Sequence, residues 1–158
     1  MKKLLIICAL LFALALVGCA DKEALSAAGF ADLLEQAGYY VSLEDLSDDF
    51  YAQQEMQGMI YYAVADEPDG KFSIEFVVFE TPEQARAIFD EGIAEMNSRS
   101  GAWFGRIESN AANYNIYRGT NNSRYYVISR IGDTMLYVDT EDEHRDAVNE
   151  ILETLGYR

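Results

Sequence analysis

The central part of the chain alternates apolar and polar residues in the period-two pattern of β-strands. Between positions 71 and 80, Phe72, Ile74, Phe76 and Val78 share one face, and apolar residues also occupy the other face. A strand over 71–80 is therefore predicted to be covered on both sides. The same reasoning predicts further strands at 39–43, 59–65, 104–109, 113–118, 124–131 and 134–139.

An apolar period of 3.6 residues predicts three helices. The first covers 27–37, with Ser26 as its N-cap. The second begins at the capping box Thr81-Pro82-Glu83-Gln84, which has proline at the first helical position. A second capping box, Thr140-Glu141-Asp142-Glu143, predicts the start of the last helix. The first and last helices are predicted to end at the Gly-Tyr pairs at 38–39 and 156–157.

Short hairpin connections dominate the order of these elements. Pro68 and Gly70 lie in the turn between two strands, and Gly132-Asp133 predicts a two-residue hairpin. This favours an α+β fold, a largely antiparallel sheet of six to seven strands with about three helices packed on it. The chain has neither repeated βαβ units nor a glycine-rich phosphate loop, which argues against a doubly wound parallel fold.

The chain opens with an unbroken apolar run of 14 residues, positions 4–17, behind Lys2 and Lys3. As a helix this run would be about 21 Å long, which is shorter than the ~30 Å hydrocarbon core of a bilayer. It also lacks the polar face that a core helix at the surface of a domain would show. A basic start followed by a short apolar segment is typical of a secretory signal peptide.

The run ends in Leu16-Val17-Gly18-Cys19, which resembles the lipobox of bacterial lipoproteins. The resemblance implies cleavage between Gly18 and Cys19 and a diacylglyceryl group on the sulfur of Cys19. Two acyl chains hold a protein stably on a membrane that it does not span. The rest of the chain is similar in overall character to many small lipoproteins of Gram-positive bacteria.

This resemblance divides the chain into a cleaved signal peptide (1–18), the lipidated cysteine with a short tether (19–26) and a single α+β domain (27–158). The mature protein is expected outside the cytoplasm, lipid-anchored to the cell membrane. Ala20 after the cysteine also allows the outer membrane if the host has two membranes. Cys8 leaves with the signal peptide and Cys19 is consumed by lipid, so we expect no disulfide and no cofactor besides the covalent lipid.

Without Lys2 and Lys3, ten basic residues face 27 acidic ones, which gives the mature chain a formal charge of −17. Such a chain repels phosphate backbones and anionic lipid surfaces, so nucleic acid is not expected as a partner and direct basic contact with lipid is unfavourable. The charge is uneven: residues 20–95 have a net charge of −15, whereas residues 96–158 have seven arginines and a net charge of −2. The two halves either attract each other or use the arginines in a site.

Few residues suggest catalysis or metal binding. His144 is the single histidine, so we expect no Ser-His or Cys-His pair and no metal, and we interpret it as a surface or packing residue. The acidic clusters at 44–49, 66–69 and 141–143 lack the spacing of an EF-hand loop and are interpreted as solvated turns and helix N-termini. The paired carboxylates of a glycoside hydrolase are possible among 27 acids, but no pair is marked out.

The strands predicted after position 112 are rich in arginine and tyrosine. If Arg118 and Arg124 flank a loop at 119–123, one face of the sheet collects Tyr114, Arg118, Arg124, Tyr126, Arg130 and Tyr137. Such a face is a candidate binding surface, because both side-chain types offer flat apolar area with polar tips. The alternative is a solvent-facing surface whose arginines pair with the acidic half and cover the tyrosines.

The sequence therefore predicts a membrane-anchored, extracytoplasmic lipoprotein that acts as a small binding or interaction module of the cell envelope. The expected partners are the membrane, through the lipid, and an envelope protein, peptide or carbohydrate ligand. The alternative function is a cell-envelope hydrolase with paired carboxylates. The lack of any specific catalytic motif after Cys19 favours a protein that is not an enzyme.

Overall fold

The structure, a computed structural model, describes residues 21–48 and 57–158. The predicted signal peptide, Gly18 and the predicted lipidation site Cys19 lie outside the described residues. The elements in chain order are α1 (Ala27–Gln36), β1 (Tyr40–Asp45), β2 (Met59–Asp66), β3 (Ser73–Phe79), α2 (Pro82–Ser98), β4 (Trp103–Asn110), β5 (Tyr114–Asn121), β6 (Arg124–Ile131), β7 (Thr134–Glu141), a turn of 3-10 helix (Asp142–His144) and α3 (Arg145–Thr154).

The strands form one antiparallel sheet in the order β1-β2-β3-β7-β6-β5-β4. β3 and β7 pair near its centre and join an N-terminal meander, β1 to β3, to a C-terminal meander, β4 to β7. The predicted α+β fold, with three helices packed on an antiparallel sheet, is confirmed. Within residues 21–48 and 57–158, no helix has both the length and the apolar character needed to cross a membrane.

The helices cover opposite faces of the sheet. α1 and α3 pack on one of them, the α1/α3 face, through a cluster that includes Phe30, Phe76 and Leu152. α2 packs on the other, the α2 face, through a separate cluster that includes Phe79 and Phe89. β3 contributes to both clusters because successive side chains of a strand point to opposite faces, as its sequence pattern predicts.

The helix ends follow the predicted capping chemistry at four places. The hydroxyl of the predicted N-cap Ser26 accepts a hydrogen bond from the Gly29 N–H, at 3.0 Å, and starts α1. The hydroxyl of Thr81 accepts a hydrogen bond from the Gln84 N–H, at 3.2 Å, and starts α2. α1 and α3 each end at a glycine in the left-handed region, Gly38 at φ +91° and Gly156 at φ +81°. The N–H of the following tyrosine then returns to a carbonyl five residues earlier, which satisfies one of the free carbonyls of the last turn.

The predicted capping box at the start of the last helix is wrong. Thr140 and Glu141 are the last residues of β7, where they pair with Tyr125 and Arg124 of β6. The chain then makes a 3-10 turn before α3 begins at Arg145, and no side chain caps either start. Strand pairing with β6 has displaced the helix start, because the backbone of Thr140 and Glu141 is already committed to the sheet.

Tyr157, which follows α3, closes the α1/α3 face. It is fully buried, its ring lies edge-on to Phe76 at 6.0 Å, and its hydroxyl shares a short hydrogen bond with Thr134. Its carbonyl accepts a hydrogen bond from the hydroxyl of Ser129 at 2.9 Å. Burial raises the pKa of Tyr157 to about 12. The phenol is therefore held in its neutral form by the fold.

We expect the free energy of unfolding to fall as the pH rises above about 10. The unfolded chain releases the phenolic proton of Tyr157 near its ordinary pKa, whereas the folded chain retains it to about 12. In this interval each such group lowers stability by up to about 1.4 kcal/mol per pH unit. Urea unfolding between pH 8 and 11 should give a shallower fall for Tyr157→Phe.

Tyr40→Phe is the control for this measurement, because Tyr40 is 71% exposed. It should keep the pH dependence of the wild type. Tyr62 and Tyr137 also have pKa values raised to about 12, so Tyr157→Phe reduces the fall without abolishing it. An unchanged slope in Tyr157→Phe would contradict the argument.

Candidate functional site

The six arginine and tyrosine residues predicted to form one surface lie on two faces of the sheet. β5 and β6 are joined by a two-residue turn, Asn122-Ser123, and not by the predicted loop at 119–123. Arg118 therefore pairs with Val127, and Arg124 pairs with Asn121. The prediction of one shared face is wrong, because residues paired across a ladder share a face and the shorter turn shifts the pairing by an odd number of residues.

The turn itself explains the error. Asn122 and Ser123 have φ angles of +50° and +64°. Positive φ at both central residues is the requirement of the tight hairpin turns that match the twist of a sheet, and asparagine tolerates it better than most residues. As a result Tyr114 and Arg118 lie on the α1/α3 face. Arg124, Tyr126, Arg130 and Tyr137 lie on the α2 face.

The two arginines of β6 have partners within the fold. Arg124 forms ion pairs with Asp139 at 2.7 Å and with Glu141 at 3.0 Å. Arg130 is only 3% exposed and donates to the Asn115 side chain at 2.8 Å and to the Gly132 carbonyl at 2.5 Å. Burial and the nearby Arg86 lower the pKa of Arg130. These contacts join neighbouring strands, so both guanidinium groups have partners within the fold.

A groove of about 370 Å³ lies on the α2 face between α2 and strands β2, β6 and β7. Its walls are mainly apolar, and Glu91 and Glu95 of α2, the C-cap residue Arg99 and the polar Gln57 complete the lining. We call this site the α2 groove, and its apolar lining consists of Met59, Ile88, Gly92, Met96, Ile128, Met135 and Tyr137. Of the predicted surface residues, Tyr137 therefore lines this groove.

Negative charge surrounds the tyrosine end of the α2 groove. Burial raises the pKa of Tyr137 to about 12, and Asp139, Glu75 and Glu95 contribute in the same direction against the opposing effect of Arg99. Arg99 is paired with Glu95 at 3.1 Å and lies 4.7 Å from the centre of the Tyr126 ring. Within the described chain Glu91 forms no ion pair, so its carboxylate can meet a ligand.

The sequence reasoning missed the contribution of methionine to this groove. Met59, Met96 and Met135 are three of the five methionines of the chain, and Met1 belongs to the predicted signal peptide. Methionine side chains adapt to irregular ligands and are used at binding surfaces for that reason. The sequence spacing of these methionines gives no signal of a shared site, and only the fold brings strands β2 and β7 and helix α2 together.

A smaller pocket of about 150 Å³ lies on the α1/α3 face beside β4 and β5. We call it the arginine pocket, and it is lined by Gly105, Ile107, Arg118, Thr120, Tyr125, Arg145, Asn149 and Arg158. Arg145 is ion-paired with Asp142, and Arg158 with Glu153 at 2.6 Å.

Arg118 differs from the other two arginines of this pocket. It donates to the Asn149 side-chain oxygen at 2.8 Å, and that oxygen also accepts from the Tyr125 hydroxyl at 3.0 Å. Among residues 21–48 and 57–158, Arg118 has no carboxylate within ion-pair distance. A partly buried guanidinium held in place by a neutral amide can accept an external anion without first losing an internal partner.

The remaining candidate residues do not form a reactive cluster. The His144 ring packs beside Phe72, with 6.2 Å between ring centres. The described part of the chain has no group of three or more His, Cys, Asp or Glu that could hold a metal ion. The hydroxyl of Thr120 and the guanidinium of Arg145 lower the pKa of Asp142 by hydrogen bonding, against an opposing effect of burial.

We expect Arg130 to be structural and Arg124 to be dispensable for stability. Arg130→Met leaves the Gly132 carbonyl without this buried donor and the Asn115 side-chain oxygen with only the longer bond from Arg86, at 3.3 Å, and should cost about 2–4 kcal/mol of unfolding free energy. Arg124→Met removes exposed ion pairs and should cost less than about 1 kcal/mol. Chemical denaturation of both variants measures the difference, and equal losses would show that the burial of Arg130 does not matter.

Comparisons with known proteins give no family for this chain. No protein-family model matches it, and no curated protein matches it. Among solved structures it is similar to the crystal structure of a GTP-binding regulator from Thermotoga maritima, with 15% sequence identity and a TM-score of 0.48. The match covers 84% of this chain and 88% of that chain. A similarity at this level carries no information about a ligand or an activity.

Proposed function

We propose that the protein is a lipid-anchored, extracytoplasmic binding module of the cell envelope and that its ligand site is the α2 groove. The basic and apolar start of the chain, followed by Leu16-Val17-Gly18-Cys19, supports export and anchoring. The groove supports binding, because it is a concave, mainly apolar site of about 370 Å³ with a few charged groups at its edge. Small-molecule sites in proteins have this character and begin at about this size.

The ligand that fits the groove best is a small, mainly apolar molecule with one positive charge. The walls formed by Met59, Met135 and their neighbours favour an apolar body. Glu91 offers a carboxylate that has no ion pair within residues 21–48 and 57–158, and the acids around Tyr137 make that end of the groove negative. Aromatic rings and carboxylates together favour a cation. The net charge of the whole chain would also attract such a ligand.

No feature of the described residues favours the alternative, a hydrolase with paired carboxylates. The carboxyl groups of Asp45, Asp69 and Asp142 have pKa values that are lowered by hydrogen bonds. A general acid at neutral pH needs a pKa shifted in the opposite direction. We therefore make binding, and not hydrolysis, the proposed function.

The anchor can be tested on the N-terminal peptide of the protein. We expect the protein purified from membranes to begin at Cys19 and to carry a diacylglyceryl group, as measured by mass spectrometry. Cys19→Ser should remain unlipidated and uncleaved at position 18, because serine offers no thiol for the lipid. Cys8→Ser is the matched control, since Cys8 lies in the predicted signal peptide, and it should leave both steps unchanged. A wild-type chain with a free Cys19 thiol would refute the anchor.

The groove can be tested with pairs of amines and alcohols of the same shape. We expect phenethylamine to bind the protein more tightly than phenethyl alcohol, by up to about fivefold, because exposed charge pairs contribute roughly 0.2–1 kcal/mol. The methyl NMR signals of Met59, Met96 and Met135 should shift on binding, because these side chains line the groove.

Glu91→Gln should remove most of the preference for the amine without changing the binding of the alcohol. Glu35→Gln is the control, because Glu35 is exposed on α1, away from the α2 face. Shifts of the three methionine methyls that do not saturate, or the same amine preference in both variants, would refute the proposed ligand class.

A further inference from the structure

We infer that the arginine pocket docks the anchored domain onto the membrane by binding the phosphates of phospholipid headgroups. This inference rests on the lipidation of Cys19 proposed above. The occupant is an anionic lipid surface, and the contact sets which side of the domain faces the bilayer. Four features of the molecule support it: the course of the tether, the charge of the pocket, the apolar residues beside it and the distance to the acidic half.

The tether is held against the domain three residues after the cysteine. The Lys22 ammonium donates to the carbonyls of Gly156, at 3.0 Å, and Arg158, at 2.6 Å. It also lies 3.7 Å from the centre of the Tyr114 ring, and the Lys22 carbonyl accepts a hydrogen bond from Asn113 at 2.7 Å. The chain therefore leaves the domain at a defined place, next to the end of α3.

This exit point places the arginine pocket near the lipid. Three residues span at most about 11 Å, so Cys19 can lie no further than that from the Cα of Lys22. Arg158 lines both the cleft that contains Lys22 and the arginine pocket. A lipid on Cys19 therefore brings the bilayer surface close to Arg158, and the pocket is the adjoining basic surface.

The charge of the pocket is opposite to that of the chain. Three guanidinium groups face two carboxylates, those of Asp142 and Glu153, and Arg118 has neither of them as a partner. Guanidinium groups bind phosphate oxygens through two parallel hydrogen bonds, which makes arginine suited to headgroups. Asp21 and Glu23 make the tether itself acidic, so the arginines and not the tether carry this attraction.

Two exposed apolar side chains of β4 lie beside the arginine pocket. Phe104 is 66% exposed and Ile107 is 45% exposed. They pair with Thr120 and Arg118, so they lie on the same face of the sheet as the pocket. Apolar side chains next to basic ones are the combination that proteins use to lie in the headgroup region of a membrane. In water the same side chains would have no favourable partner.

The net charge of −17 does not prevent this contact. Of the 18 acids in residues 20–95, six lie on β1 to β3 or in the β2–β3 turn, and four lie on α2, on the opposite face of the sheet from the arginine pocket. β1 and β4 are the two outer strands of the sheet. Six strand spacings, about 29 Å, separate β1 from β4. Under physiological conditions salt largely screens the interaction between exposed charges that lie more than about 8 Å apart. Covalent anchoring also removes the need for long-range attraction before contact. Local charge therefore decides the orientation.

The orientation can be measured with a spin label on the lipidated protein in vesicles of phosphatidylglycerol and phosphatidylcholine. The mature chain has no free cysteine if Cys19 is lipidated, so Ile107→Cys can be labelled specifically. Leu43→Cys on β1 is the matched control, because Leu43 is also 45% exposed. We expect a several-fold loss of collisions with an aqueous nickel chelate at position 107 and no loss at position 43.

Charge variants test whether the arginines cause the shielding. Arg118→Gln and Arg158→Gln should each restore nickel collisions at position 107, and high salt should do the same in the unmodified protein. The Arg158→Gln variant is a second test that does not depend on the buried contacts of Arg118, since the side chain of Arg158 is 45% exposed. Equal accessibility at positions 43 and 107, or shielding unchanged in both variants, would overturn the inference.

Three further outcomes separate a failure of the docking from a failure of the anchor. Label–label broadening at position 107 that is independent of lipid charge would assign this face to a second copy of the chain and overturn docking on lipid. Protein that fails to sediment with the vesicles would refute the proposed anchor itself. Protein that sediments while position 107 stays accessible would refute only the docking.

Discussion

The pairing of β3 with β7 is the interaction on which the rest of the structure depends. The four paired positions, from Glu75 with Tyr137 to Val78 with Thr134, join the N-terminal meander to the C-terminal one. Phe76 and Leu136 lie on the α1/α3 face, whereas Val77 and Met135 lie on the α2 face. Both hydrophobic clusters therefore cross this seam, and neither helical layer has a complete sheet to pack on without it. The α2 groove depends on it too, because its walls come from β2 on one side of the seam and from β6 and β7 on the other.

Local chemistry made much of the fold predictable. The alternation at 71–80 identified the central strand, Thr81 and Gln84 identified the start of α2, and Gly132-Asp133 identified the β6–β7 hairpin. These signals are local, since each depends on residues a few positions apart. Where local signals compete with sheet pairing, they fail. Thr140 is a residue type that often caps helices, yet here it pairs with Tyr125 in the β6–β7 ladder, so its backbone groups belong to the sheet.

Of the six arginine and tyrosine residues predicted as one binding face, only Tyr137 lines the α2 groove, and the methionines of that groove were not predicted as site residues. A change of one residue in the pairing of two strands moves a side chain to the other face of the sheet. The length of the β5–β6 turn therefore determines which face of the sheet Arg118 shares with the residues of β6. The burial of Arg130 could not be predicted from the sequence either, because its partner Asn115 comes from the neighbouring strand. The alternative interpretation, arginines paired with the acidic half, is wrong for Arg124, whose acids are Asp139 and Glu141 of the same half.

The uneven distribution of charge over the chain would give the α2 groove and the arginine pocket preferences for ligands of opposite charge. On the α2 face, Glu91 and the acids around Tyr137 would favour a cation. On the α1/α3 face, Arg118 has no carboxylate at ion-pair distance among the described residues and would favour an anion. Because a β-sheet separates the two faces, an anchored domain that rests on its arginine pocket would leave the α2 groove open to the outside. A lipid on Cys19 would favour the same arrangement, since the chain at Lys22 leaves the domain beside Arg158. Anchor, orientation and ligand access would then follow from one distribution of charge over one sheet, and salt would weaken both contacts together because both charged surfaces are exposed.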